Sequence, residues 1–127
     1  MSTLTGLGLE LSGMRTMLID PPDYVLAEAS GIEPRPMVVS SLQVAEPAMQ
    51  IVWWPQQGEL TTEGISKLSW MLSVVSGSKG WLISDDEDQS PSPRELRAAV
   101  EGTLLQIEQE TKLGEGGAAL RLVLRAG

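Results

Sequence analysis

The spacing of apolar residues predicts strands in the first half of the chain. Residues 7–11 alternate between apolar and polar types, residues 14–19 form an apolar-rich run, and Ser12 and Gly13 lie between them. Two short runs joined by a pair that contains glycine are typical of a β-hairpin. Residues 37–44 and 48–54 are rich in β-branched or aromatic types, and only residues 45–47 separate them. This spacing predicts two adjacent antiparallel strands. Residues 24–30 are compatible with either a strand or a short helical turn.

A first helix is predicted over residues 63–75. Its apolar side chains Ile65, Leu68 and Leu72 recur at spacings of three and four, which places them on one face of a helix. The hydroxyls of Thr61 and Thr62 offer N-caps at its start.

A second helix is predicted to begin at Pro93. Ser92 at the N-cap, Pro93 at the first helical position and Glu95 two residues later form a capping box. The apolar residues that follow extend this predicted helix over residues 93–113, with Leu104 on its buried face. Gly114 marks its end.

The remaining patterns complete a predicted fold. Residues 80–84 form a short apolar run, and Leu120, Leu122 and Leu124 alternate with Arg121 and other residues in a final strand. The order of elements is therefore four strands, a helix, a strand, a helix and a strand. It predicts a single α+β domain over residues 1–127, with a mostly antiparallel sheet of five or six strands and two helices packed on one face.

Composition excludes several kinds of chemistry. The chain contains no histidine and no cysteine, so catalytic triads that need histidine, structural zinc sites and disulfides are excluded. Its 17 acidic residues against 9 basic ones give a net charge of −8, which disfavours direct binding of nucleic acid. The chain has no continuous apolar segment long enough to cross a bilayer, and its start does not resemble a secretory signal. We therefore expect a soluble, cytoplasmic protein that contacts no membrane.

The acidic run consists of Asp85, Asp86, Glu87 and Asp88. Carboxylates that follow a strand can hold Mg²⁺ or Ca²⁺. An EF-hand loop that began at Asp86 would, however, have Pro91 where the sharp turn requires glycine. Residues 85–92 are therefore predicted to be an acidic, mobile loop that contains serine and proline, and we expect neither a metal ion nor a cofactor.

The tryptophans provide the candidate binding surface. Trp53 and Trp54 are adjacent in a predicted strand, so their side chains point to opposite faces of the sheet. Two helices cover only one face of the predicted sheet. The other face, which carries Val52 and Trp54, must then be covered by another subunit or partner. Trp70 and Val74 lie off the main apolar stripe of the first helix. Because tryptophan is enriched among interface hot spots, Val52, Trp54, Trp70 and Val74 are predicted to bind a partner.

These observations favour a non-enzymatic cytoplasmic protein that mediates protein–protein interactions, as a homo-oligomer or as a subunit or adaptor of a larger assembly. An acidic inhibitor that imitates nucleic acid toward a basic protein site is the alternative, because the chain is strongly acidic. A third hypothesis is a carboxylate-metal hydrolase centred on Asp86 and Asp88.

Overall fold

The computed structural model describes residues 15–31, 36–56, 58–84, 91–113 and 117–124. In chain order, the described elements are β1 (Thr16–Ile19), α1 (Asp23–Ala29), β2 (Met37–Val39), a 3-10 turn (Leu42–Val44), β3 (Gln50–Trp53), α2 (Thr62–Val74), β4 (Lys79–Ser84), α3 (Pro93–Val100), β5 (Leu105–Leu113) and β6 (Gly117–Leu124).

The strands form one six-stranded sheet in the order β2-β1-β3-β4-β6-β5. Strand β1 is parallel to both β2 and β3, and β3 is parallel to β4. Only β6 and β5 run antiparallel to their neighbours. The predicted mostly antiparallel sheet is therefore wrong. Residues 37–39 and 50–53 are not paired with each other, because β1 lies between them.

Residues 23–29 explain the parallel arrangement. They form α1, which joins β1 to β2 as a crossover, and parallel strands require such a long connection. Strand β1 has β2 on one side and β3 on the other, so it does not take part in the predicted hairpin. The first half of that hairpin lies outside the described residues.

Apolar side chains cover both faces of the sheet. Met17 and Ile51 point to the face on which α2 and α3 pack, where they join Leu68 and Leu96 in the larger core cluster. The intervening positions point to the other face, where Val25 and Ala29 of α1 belong to a second cluster. The prediction of two helices on one face is corrected by this third helix, which packs on the opposite face.

The predicted helix starts are confirmed, but the long second helix is wrong. The side chain of Thr61 accepts a hydrogen bond from the Gly64 N–H (3.1 Å), and that of Ser92 accepts one from the Glu95 N–H (3.2 Å). Helix α3 ends at Val100 instead of continuing to residue 113. Gly102 follows with a φ of 80°, a conformation that side chains other than glycine rarely adopt, so the chain turns there.

Residues 105–113 form β5 at the edge of the sheet. The side chain of Leu105 is fully buried (0% exposed), whereas that of Leu104 is 69% exposed. The prediction that Leu104 lies on a buried face is therefore wrong, because the chain enters a strand here and buries Leu105 instead. An ion pair between Arg97 and Glu110 (2.6 Å) links α3 to this strand.

No helix among the described residues is both long enough and apolar enough to cross a membrane.

The register of β5 can be tested with adjacent leucines. We expect Leu105→Ala to lower the free energy of unfolding by about 2–5 kcal/mol, because it removes buried methyl groups and leaves a cavity. Leu104→Ala is the matched control and should change that free energy by less than about 0.5 kcal/mol. Urea unfolding followed by circular dichroism measures both. Equal effects of the two substitutions would contradict the strand assignment.

The cap of α3 can be tested separately. Ser92→Ala removes the hydroxyl that accepts from the Glu95 N–H, so we expect the free energy of unfolding to fall by about 1 kcal/mol. Ser66→Ala, at an exposed position inside α2, should leave stability unchanged or raise it slightly, because alanine has the higher helix propensity. A Ser92→Ala protein as stable as the wild type would show that the cap does not stabilise α3.

Candidate functional site

The direction of the crossovers defines a crevice at one edge of the sheet. From β1 the chain passes through α1 to β2 on one side, whereas β3 lies on the other side of β1 and continues into α2. Helices α1 and α2 pack on opposite faces. The carboxyl ends of β1 and β3 are therefore a topological switch point, where open α/β sheets bind ligands.

Asp20 stands at this point in an unusual backbone conformation. Its φ is 54°, the one positive value among the non-glycine residues that the structure describes. Its N–H donates to the carbonyl of Val39 (2.8 Å), and the N–H of Trp54 donates to the carbonyl of Ile19 (3.1 Å). These two bonds join the carboxyl end of β1 to both neighbouring strands. A backbone conformation of this kind is found preferentially at functional sites.

The electrostatic surroundings of Asp20 are acidic. Burial raises the pKa of the Asp20 carboxyl, the nearby Glu59 carboxylate raises it further, and a hydrogen bond with the Gln56 side chain acts in the opposite direction. Glu59 is held in place because its Oε1 accepts from the backbone N–H of Gln56 (2.6 Å). Two carboxylates at one edge of the sheet favour a cationic ligand over an anionic one.

A cavity of about 570 Å³ opens beside Glu59. Its volume falls within the range of about 300–1,000 Å³ that is typical of small-molecule sites. Trp53 forms an apolar wall, and Leu42 and Lys67 line other sides. Gly64 also lines it, and a Cβ there would lie 3.2 Å from the Trp53 ring and 3.1 Å from the Glu59 carbonyl oxygen, so a side chain at this position would crowd the approach of α2 to β3.

The turn between β1 and α1 indicates which ligands fit. It consists of Asp20, Pro21, Pro22 and Asp23 and contains no glycine. Pyrophosphate binding in related sheets uses a glycine-rich turn whose backbone approaches the phosphates. Here the two prolines have no N–H to donate and the two carboxylates repel phosphate. This turn therefore disfavours a dinucleotide, and its carboxylates disfavour phosphate but not an organic cation.

The four residues predicted to bind a partner are separated by the structure. Val52 and Trp54 are buried in the cluster that α1 joins, and Trp54 is only 3% exposed. The inference that their face lacks a cover is wrong, because it took no account of α1. Trp70 is 54% exposed and Val74 is also exposed. A contact between these two residues and a protein partner stays a prediction.

The acidic run of Asp85, Asp86, Glu87 and Asp88 lies outside the described residues, so its predicted role is not tested. Among the residues that are described, no group of three or more carboxylates is placed to hold a metal ion.

Asp20 and Glu59 were missed by the sequence analysis. Asp20 directly follows the apolar run of residues 14–19 and precedes two prolines, and an acidic residue directly after a buried strand is a signal typical of ligand sites. Glu59 follows Gly58 in a loop and carries no local signal, because only the fold brings it near Asp20.

Comparison with known proteins places this site in context. No protein family model and no curated protein matches the chain. Among solved structures, mitomycin 7-O-methyltransferase matches with a TM-score of 0.56 at 13% identity, over 98% of this chain and 54% of that one. The chain thus spans about half the length of that enzyme. Magnesium protoporphyrin IX methyltransferase from Synechocystis, with bound SAH, matches with a TM-score of 0.57 at 10% identity, over 97% of this chain and 78% of that one.

An rRNA methylase from Streptococcus thermophilus is also similar, with a TM-score of 0.52 at 11% identity, over 96% of this chain and 93% of that one. The chain has the Rossmann-like fold of these methyltransferases. At these identities the similarity concerns the fold, and it agrees with the mixed sheet described above. This fold corrects the predicted α+β class. The prediction of a non-enzymatic interaction module, adaptor or oligomer is also wrong, because the structures that share the fold are methyltransferases.

The acidic surroundings of Asp20 predict a dependence of stability on pH. A raised pKa means that the folded state holds the proton more tightly, so wild-type stability falls as pH rises from the ordinary aspartate pKa through the raised value. We expect Asp20→Asn to abolish this fall, since it cannot ionise and asparagine tolerates a positive φ. Urea unfolding of both proteins between about pH 3 and pH 7 measures the difference.

Glu59→Gln is the control for that experiment. It removes the repelling charge but keeps Asp20, so it should reduce the fall in stability without abolishing it. A difference between Asp20→Asn and the wild type that is the same at every pH would contradict the raised pKa.

Proposed function

We propose that this chain is an S-adenosylmethionine-dependent methyltransferase domain that binds its cofactor at the carboxyl ends of β1 and β3. The observation that carries the proposal is the acidic switch-point crevice, where Glu59 lines a cavity of about 570 Å³ and lies close enough to Asp20 to raise the pKa of its carboxyl. The fold shared with methyltransferases supports the same conclusion.

The cofactor's charge suits this crevice. When bound, S-adenosylmethionine supplies an electrophilic methyl group on a sulfonium cation. It contains no phosphate, so the missing glycine-rich turn is no obstacle. Glu59 provides negative charge in the lining of the cavity, with Asp20 near it, and the Trp53 ring provides an apolar wall that excludes water and strengthens the attraction of a cation.

The charge of the chain narrows the class of methyl acceptor. With a net charge of −8, the protein repels a polyphosphate backbone unless basic residues cluster, so a nucleic acid acceptor is disfavoured. A small molecule or a protein side chain that is neutral or cationic suits it better. Location in the cytoplasm stays a prediction.

Calorimetric titration tests the proposal. We expect S-adenosylmethionine to bind with a Kd below about 1 mM. NAD should not bind, because the turn between β1 and α1 has no glycine that would let the backbone approach its phosphates. Glu59→Gln should weaken S-adenosylmethionine about fivefold, since a partly exposed ion pair contributes up to about 1 kcal/mol. The same substitution should change the affinity for S-adenosylhomocysteine, whose sulfur is uncharged, less than about twofold.

Glu46→Gln is the matched control, because Glu46 is exposed and does not line this cavity, and it should leave both affinities unchanged. Absence of S-adenosylmethionine binding by the folded wild-type protein would refute the proposal. Binding of NAD with the same affinity as S-adenosylmethionine would refute the inference that a turn without glycine excludes phosphate-containing ligands.

A further inference from the structure

A second and larger groove lies between α2 and α3. It has a volume of about 820 Å³, and its apolar lining includes Ile65, Trp70 and Leu104. Trp70 and Leu104 are among the most exposed large apolar side chains of the described residues. Thr61 lines both this groove and the cavity beside Glu59, so the two sites adjoin at the start of α2.

Three hydroxyls of the groove are placed to accept hydrogen bonds from a ligand. The hydroxyls of Ser69 and Ser73 donate to carbonyls of their own helix, at Ile65 (2.9 Å) and Trp70 (2.6 Å). The Thr103 hydroxyl likewise donates to the Val100 carbonyl (2.6 Å). Their protons are therefore engaged, and the lone pairs that remain can only accept. A ligand that carries N–H groups therefore finds acceptors at these three hydroxyls.

The charge and the aromatic surface point to the same ligand. Among the described residues that line the groove, Glu101 carries the single charge. The exposed indole of Trp70 attracts a cation to its face and stacks with a planar ring. An anion is repelled by this carboxylate and finds no positively charged side chain among the described residues of the lining.

We propose that the groove between α2 and α3 is a second ligand site, which binds a planar aromatic molecule bearing a protonated amine through Trp70 and Glu101. Trp70 and Glu101 lie outside the cofactor crevice, which the groove meets only at Thr61, so binding through them does not depend on the function proposed above.

Three probes of matched shape test the proposal by calorimetry. Naphthylmethylamine is the cation, naphthylmethanol the neutral analogue and naphthoate the anion. We expect the cation to bind most tightly, the alcohol more weakly and the anion not at all. Trp70→Ala should weaken the cation about tenfold. Glu101→Gln should bring the affinity for the cation close to that for the alcohol. Failure of every probe to bind, or unchanged binding by Trp70→Ala, would overturn the proposal.

Control variants exclude indirect effects. Val74→Ala alters an exposed residue of α2 that does not line the groove, and its probe affinities should equal those of the wild type. Leu104→Ala alters the lining at an exposed position and should weaken all binding probes to a similar degree, which would support the site. Cofactor affinity of Trp70→Ala should be unchanged, which separates this site from the crevice.

Acrylamide quenching checks that the groove is open. Trp53, Trp54 and Trp81 are buried, so Trp70 should account for the quenchable fluorescence, and the amine probe should protect it. A Trp70 already shielded in the free protein, together with sedimentation as a dimer, would show that a second copy covers the groove and would overturn the proposal.

Discussion

The parallel pairing of β1 on both of its sides determines the rest of the structure. Its four residues are buried and hydrogen-bond to β2 and β3. A strand with parallel neighbours on both sides needs long connections, which here run over opposite faces of the sheet. The carboxyl ends of β1 and β3 therefore meet between two diverging segments of chain. The crevice follows from this connectivity and not from any single residue.

The second face of the sheet shows how strongly one short helix changes the interpretation of surface residues. Val52 and Trp54 look unpartnered when only α2 and α3 are considered. Once α1 covers that face, they belong to a second core cluster. In the described part of the chain the Trp54 indole Nε1 still has no hydrogen-bond partner. Trp70, by contrast, is left at the surface because it points away from the sheet.

Acidic charge has two distinct roles at the surface described here. At the carboxyl edge, Asp20 and Glu59 lie close enough for the Glu59 carboxylate to raise the pKa of Asp20, which makes that edge electronegative. On the edge strand β5, the carboxylate of Glu108 forms ion pairs with Lys79 and Arg121, at 3.2 and 3.1 Å. These exposed ion pairs contribute little stability individually, but they place charged side chains on β5 at the open edge, where charge discourages pairing with another sheet.

The sequence alone determined the local features, and tertiary structure determined their arrangement. The caps at Thr61 and Ser92, and the strand at residues 79–84 within one residue of its predicted start, follow from interactions between near neighbours. The directions of β2 and β3 do not follow from such local interactions, because the same apolar run can pair with a parallel or an antiparallel neighbour. Residues 105–113 satisfied helical spacing as well as alternation, and only pairing with β6 decided for a strand. Likewise, Asp20 and Glu59 are far apart along the chain and meet only because the fold brings the ends of β1 and β3 together.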